Sequence, residues 1–289
     1  MSPSALLRLA RPRQWIKNAF VAAPLFFTPS ALSGSNLLRA ALAVAIFCLL
    51  SSTAYVINDW FDRDADRLHP EKRMRPIATG EVSGRDAAAL AAALSAVAFV
   101  LALALLPIEF CLIAAGYFVL NLLYSLKLKD VAILDVLIIA IGFVLRIDAG
   151  AVAIGVQPSV WIVVCAFLLA LFLALAKRRD DLVRTLDADH RASLGGYNRR
   201  FIETGLAMVL GALLVSYVIY TTDAAVIARY RTEKLYLTVP FVAAGILRYL
   251  QITLVDERSG SPTDIIFGDR FIAVAVVGWI VTFGALIYG

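Results

Sequence analysis

Asn58-Asp59-Trp60-Phe61-Asp62-Arg63-Asp64-Ala65-Asp66 follows directly on an apolar run long enough to cross a bilayer, and it sets four carboxylates at the end of that run. Continued as a helix, at about 100° per residue, the stretch brings Asp59, Asp62 and Asp66 within about 60° of one another and turns Asp64 to the far side. Three acids on one face repel unless a cation lies among them. Hard oxygen ligands at this density suit Mg²⁺, which usually also takes phosphate oxygens from a substrate. The expectation is therefore a metal held by this face and a diphosphate substrate. A solvated acidic loop that only marks the membrane edge is the competing reading, and it weighs less because ionisable residues in and beside membranes lean towards function.

Outward from this stretch the chain reads as membrane protein throughout. Of its 289 residues 61% are hydrophobic and the mean hydropathy is +0.82, whereas soluble domains are about 45–50% apolar. Apolar runs near the spanning length of roughly 20 residues fall at 15–33, 38–57, 86–106, 108–126, 131–154, 158–176, 201–222, 235–254 and 270–288. The expected fold is all-α and polytopic, with nine transmembrane helices forming one domain over 1–289. The first span is interrupted by Pro24 and Pro29, which membrane helices tolerate better than soluble ones do.

Most of the 27 Lys and Arg residues fall in alternate connections. One set comprises Arg8 to Lys17, Arg63 to Arg85, Lys127 with Lys129, Lys177 to Arg200, and Arg258 with Arg270. The opposite face has only Arg39, Arg229, Arg231 and Lys234. Cytoplasmic loops retain positive charge, so the N-terminus is expected inside, the C-terminus outside, and the acidic stretch at the cytoplasmic face of a cell (inner) membrane. The basic start leads into a broken apolar stretch followed at once by further spans, and is not expected to be a cleaved signal. Cys48, Cys111 and Cys165 fall within spans without C-x-x-C spacing, which points to packing. His69 and His190 stand alone in loops without metal-ligand spacing.

Acids to hold a metal and cations to hold phosphates thus share one face, as an anionic substrate requires. After the acids comes Arg67-Leu68-His69-Pro70-Glu71-Lys72-Arg73-Met74-Arg75-Pro76, where prolines restrict the backbone. Arg73 and Arg75 are expected phosphate contacts, although such residues also serve as topology signals against acidic lipid headgroups. The fourth span ends Asn121-Leu122-Leu123-Tyr124-Ser125-Leu126-Lys127, offering hydrogen bonds from Tyr124 and a charge from Lys127. The sixth ends in Lys177-Arg178-Arg179-Asp180-Asp181, in which Lys177 and Asp181 stand one helical turn apart. On the fifth span, Arg146 lies about 16 Å beyond Asp135 on nearly the same helix face. An unpaired charge there is costly, so Arg146 is expected to face the interior near an acid or a bound phosphate.

The pattern N-D-x-x-D-x-x-x-D from Asn58 to Asp66 is joined by Arg75-Pro76, by Tyr124 and Lys127, and by a second charged motif after the sixth span. Together these resemble the UbiA superfamily of intramembrane prenyltransferases, over the whole chain. Within it, four stretches are most similar to the branch that moves 5-phosphoribose from phosphoribosyl diphosphate to a decaprenyl-type polyprenyl phosphate. They are Arg11-Pro12-Arg13-Gln14-Trp15-Ile16-Lys17-Asn18, Asp64 to Arg73, Gly142-Phe143-Val144-Leu145-Arg146, and Gly260-Ser261-Pro262 to Asp269-Arg270. Aromatic prenyltransferases usually carry a second Asp-rich motif for a second metal. Here the basic Lys177-Arg178-Arg179-Asp180-Asp181 replaces it, which fits a lipid monophosphate acceptor.

The resemblance implies a nine-helix UbiA-type bundle and metal-assisted glycosyl transfer. Asp59, Asp62 and Asp66 would be the metal ligands and, with Lys177, the catalytic set. Lys17, Asn58, Arg73, Arg75, Tyr124, Lys127, Arg146, Arg178 and Asp181 would bind substrate. The cofactor implied is Mg²⁺. The partners are phosphoribosyl diphosphate, a polyprenyl phosphate and the surrounding membrane lipids, with no nucleic acid; a homo-oligomer is compatible with the sequence. The alternative is prenyl transfer from a prenyl diphosphate to an aromatic or other acceptor. Transport is disfavoured, because it calls for midplane charge and inverted repeats, and most charge here lies at one face.

Overall fold

The computed structural model describes residues 3–68, 70, 72–183, 192–257, 265 and 268–289. His69, His190 and the Gly260-Ser261-Pro262 segment lie outside the described residues. The described helices gather into two compact units, residues 1–158 and residues 159–289.

Unit 1 begins with α1 (Pro3–Ala10), a 3-10 helix (Pro12–Asn18) and α2 (Ala19–Phe26). Then come α3 (Gly34–Phe61), α4 (Arg63–Leu68), α5 (Gly84–Leu105), α6 (Ile108–Leu126) and α7 (Leu134–Ala153). Unit 2 holds α8 (Val160–Val183), α9 (Arg199–Thr222), α10 (Ala224–Tyr230), α11 (Val239–Leu254) and α12 (Arg270–Tyr288). Among the described residues, eight helices are long and apolar enough to cross a membrane, and they match the second to ninth predicted spans. The chain is a multi-pass, all-helical membrane protein.

The first predicted span, 15–33, is not one helix. Its residues make the end of the 3-10 helix, the eight-residue α2 with Pro24 inside it, and a second 3-10 helix at Pro29–Ala31. Each proline removes a backbone donor and restricts the residue before it. Eight residues rise only about 12 Å, so α2 cannot cross alone.

Sequence also sets the other helix ends. Ser33 caps α3 by accepting from the backbone N–H of Asn36 at 3.2 Å, and Ser83 caps α5 through Asp86 in the same way. With 28 residues, α3 is about 42 Å long against a hydrocarbon core of about 30 Å, so its polar end at Asn58 and Asp59 reaches the interfacial zone.

Lipid gives little hydrophobic drive for helices to associate, and close approach of small residues takes its place. In unit 1 the core of α2, α3, α5, α6 and α7 sets Phe47, Leu50, Phe110 and Tyr117 among Ala43, Ala98, Ala102, Ala114, Ala149 and Ala153. Gly150 is the tightest point. A Cβ there would lie 1.8 Å from the Val21 carbonyl oxygen, so glycine is what lets α7 rest directly on the α2 backbone. In unit 2, Gly278 of α12 plays a similar part against the Phe241 ring of α11.

Candidate functional site

The helical path from α3 into α4 continues through Asp62, with backbone bonds from Asp62 to the Asn58 carbonyl at 2.9 Å and from Asp66 to the Asp62 carbonyl at 2.7 Å. The acids therefore sort by face as their spacing predicts. Asp59 and Asp66 are buried, whereas Asp64 is 72% exposed and pairs with Arg63 and Arg67.

Each inward carboxylate is answered by a cation of the chain. Arg11 Nη2 donates to both Asp59 oxygens, at 2.6 and 2.7 Å. Arg75 Nη1 bridges Asp59 Oδ1 at 2.9 Å and Asp66 Oδ2 at 2.7 Å. Lys129 pairs with Asp62, whose other oxygen accepts from Asn58 Nδ2 at 2.8 Å. Arg11 sits at φ 52°, in the left-handed region. A non-glycine residue held there is strained, and such strain tends to gather at functional sites; here it lies at the turn between α1 and the 3-10 helix that carries Arg11 to Asp59. Burial pushes the Asp66 carboxyl above the ordinary aspartate value, and Arg75 draws it back down.

The predicted three-acid metal set is not assembled. Among the described residues no three His, Cys, Asp or Glu side chains stand close enough to hold a metal ion. The guanidinium of Arg75 occupies the place between Asp59 and Asp66, and Asp62 is held by Lys129. In a low dielectric, buried acids take the nearest cations. The donor chemistry still fits Mg²⁺ in a smaller form. Oxygens of Asp59 and Asp66 converge on one nitrogen, and Mg²⁺ commonly uses one or two carboxylates with phosphate oxygens and water for the rest.

About two to three helical turns back along α3 lies a second polar group. Arg146 of α7 is buried, donating from Nε to Asn18 Oδ1 at 2.9 Å, from Nη1 to the Gly142 carbonyl at 2.9 Å and from Nη2 to the Tyr117 hydroxyl at 2.7 Å. It also lies over the Tyr117 and Phe143 rings. Asn18 is turned by its own amide, which donates to Cys48 Sγ and Ser51 Oγ, each at 3.2 Å. Lys17 reaches the Tyr55 hydroxyl at 3.4 Å, and Arg11 lies over the Tyr55 ring. Arg146 faces inward as expected, but its partners are neutral, and no ion pair joins it to the buried Asp135.

Other expected residues lie less directly on the site. Arg73 and Lys127 are exposed and Tyr124 is half-buried on α6. Lys129, in the short 3-10 helix Leu128–Asp130 after α6, reaches Asp62 where Lys127 had been expected to supply the charge. Arg11, Asn18, Tyr55, Tyr117 and Lys129 were missed as site residues. Arg11 and Asn18 do bracket the basic opening stretch, which was the available signal.

In unit 2, α8 carries the second motif to its end. Lys177 is exposed, while Arg178 and Arg179 are 1% exposed. Asp181 shares a helix face with Lys177, but it is Arg178 Nη1 that bonds its Oδ2, at 2.7 Å. Arg179 bonds Glu203 at 3.1 Å and the Thr253 carbonyl, and has Glu257 beside it at 3.5 Å. Asp269 caps α12 through the Ile272 N–H and accepts from Arg248 at 2.7 Å.

A model of the UbiA prenyltransferase family matches residues 18–286. The chain is 33% identical to a decaprenyl-phosphate phosphoribosyltransferase of Mycolicibacterium smegmatis, over 99% of this chain and 93% of that one. It is 31% identical to the enzyme of the same name from Corynebacterium glutamicum, over 95% and 84%. In structure it is similar to a UbiA homolog from Archaeoglobus fulgidus bound to DMAPP and Mg²⁺, with a TM-score of 0.74 and 23% identity, over 98% of this chain and 99% of that chain.

Proposed function

Because the chain belongs to the UbiA prenyltransferase family, and so to a family of membrane transferases, we propose that it is the phosphoribosyl-transferring kind, moving 5-phosphoribose from phosphoribosyl diphosphate to a polyprenyl phosphate with release of diphosphate. The observation that carries this reading is the identity of 33% with a decaprenyl-phosphate phosphoribosyltransferase across nearly the whole of both chains. The second motif supports it, since it opens on the basic run Lys177-Arg178-Arg179 before Asp180 and Asp181, with Arg178 and Arg179 buried.

Asp59 and Asp66 would hold Mg²⁺ together with the donor's diphosphate. The ion would supply charge neutralisation on the leaving group as the ribose C1–O bond breaks. The chain's own residues do the rest. Arg11 fixes Asp59 from one side, so the carboxylate is oriented before substrate arrives. Arg75, which bridges the two carboxylates, would take a diphosphate oxygen. Lys129 and Asn58 hold Asp62 beside them. The acceptor is a lipid phosphate ionised at neutral pH, so attack on C1 needs no strong general base. Holding two anions close against their repulsion is the work asked of the cations, and pre-oriented charge is an effective way to do it. Lys177, Arg178 and Asp181 of unit 2 are proposed to be required as well. The positive-inside charge bias supports a reaction at the cytoplasmic face of the cell membrane.

The test incubates purified protein with Mg²⁺, radiolabelled phosphoribosyl diphosphate and a polyprenyl phosphate, and scores label in the lipid phase. Label that enters the lipid only when all three are present supports the reading. Its absence from active preparations removes it.

A further inference from the structure

Beside the ion pairs at the carboxylate end of unit 1 stand two further cations of the site, Lys17 and Arg146. Asp59, Asp62 and Asp66 are matched by Arg11, Arg75 and Lys129. Lys17 and Arg146 pair with no carboxylate among the described residues, and Asn18, next to Lys17 in the chain, bonds Arg146 directly. Asp148, two residues beyond Arg146, is turned about 200° around α7 and does not answer it. Arg146 is 7% exposed. A buried charge without a counter-charge is costly and is kept where a partner arrives from outside.

The geometry around Arg146 holds the charge in place without quenching it. A guanidinium has five N–H groups, and Asn18, Gly142 and Tyr117 take three of them, all through neutral oxygens. Two N–H groups remain to donate to a phosphate. Lys17 has only its long contact to Tyr55, leaving ammonium donors for a ligand. Asn18, whose amide meets Cys48 and Ser51, sets the depth of this group at about 12 to 16 Å along α3 from Asp59. The Arg146 end of the group is therefore apart from the carboxylates, with Lys17 and Tyr55 on the way to them.

From this arrangement we propose that Lys17 and Arg146 form a binding site for a phosphate monoester dianion, distinct from the carboxylate end that takes a diphosphate. Two uncompensated charges match the charge of about −1.5 to −2 on a monoester at neutral pH. A diphosphate already has its place beside Asp59 and Asp66. The assignment of ends rests on the proposed function; the monoester belongs either to the 5-phosphate of the sugar or to the lipid acceptor.

Binding measured without turnover tests this. Full-length protein in nanodiscs, free of divalent metal, is titrated calorimetrically with ribose 5-phosphate and separately with farnesyl phosphate. Pyrophosphate with Mg²⁺ reports on the carboxylate end. Arg146→Gln and Lys17→Gln are expected to weaken at least one monoester by about tenfold or more, with Mg²⁺-pyrophosphate changed less than about twofold. Loss for ribose 5-phosphate alone assigns the site to the sugar, and loss for farnesyl phosphate alone assigns it to the lipid. Should Arg146→Gln fail to bind pyrophosphate as well, Lys17→Gln decides, since it removes one long contact. Unchanged monoester affinity in the variants, or no monoester binding by the unsubstituted protein, overturns the site. A protein that transfers prenyl groups yet shows the expected loss keeps this site and forfeits the phosphoribosyl reading.

Discussion

Asn18 Oδ1 accepts a 2.9 Å hydrogen bond from Arg146 Nε across 128 residues of sequence. That bond ties the short α2 region to α7 at the level where the unpaired cations lie, and it depends on how closely the two helices approach. Gly150, one turn beyond Arg146, sets that approach against Val21.

Gly150→Ala is therefore expected to push α2 off α7 and lengthen the Asn18–Arg146 bond. Overpacking of this kind typically costs about 1–3 kcal/mol, read as a lower unfolding temperature in detergent. Gly211→Ala, where nothing lies within 4 Å of the added Cβ, is the comparison and should be neutral or slightly stabilising. Equal behaviour of the two variants would contradict the close helix contact.

At the carboxylate end, Asp59→Asn removes the negative charge that two arginines share, whereas Asp64→Asn alters only exposed pairs. Transfer should fall by about 100-fold or more in the first, where buried charges lose their partner. The second should stay within about threefold, as exposed pairs are worth little. A comparable loss in both would show that the two faces of this helical stretch do not divide the work.

Much of this was legible in the sequence, and the failures have physical causes. Hydrophobic length found eight spans, because spanning a bilayer constrains length and composition together. It overran at 15–33, where apolar character is continuous but Pro24 and Pro29 break the hydrogen-bond ladder. Helical spacing placed Asp59 and Asp66 inside and Asp64 outside. Spacing cannot say which distant cations answer them, so Arg11 and Lys129 went unseen. Lys129 was obscured because α6 stops at Leu126 and a 3-10 helix carries the chain on to it. At the end of α8, Lys177 and Asp181 do share a face, but burial selects Arg178 as the partner.

Asp269 gives a pH dependence. Its bond from Arg248, with the backbone N–H of Ile272, holds the carboxyl below the ordinary aspartate range. A depressed acid contributes stability above its unfolded value of about 4, and that contribution is lost as pH falls through the folded value. Unfolding temperature followed from pH 7 to pH 3 should drop less for Asp269→Asn than for the unsubstituted protein. Identical slopes would show that the contact contributes nothing.

Orientation can be read at Ala65, an exposed position on α4. With the native cysteines replaced, Ala65→Cys should resist an impermeant thiol reagent in intact cells and react after permeabilisation. Labelling from outside would reverse the proposed topology.

The central claim is tested most directly by offering both chemistries at once. Purified protein with Mg²⁺ is given phosphoribosyl diphosphate with a polyprenyl phosphate, and a prenyl diphosphate with 4-hydroxybenzoate, in one mixture resolved by mass spectrometry. The expected product is the polyprenyl phosphoribose 5-phosphate, with the aromatic acid unchanged. A prenylated aromatic product without phosphoribosylated lipid would contradict the account.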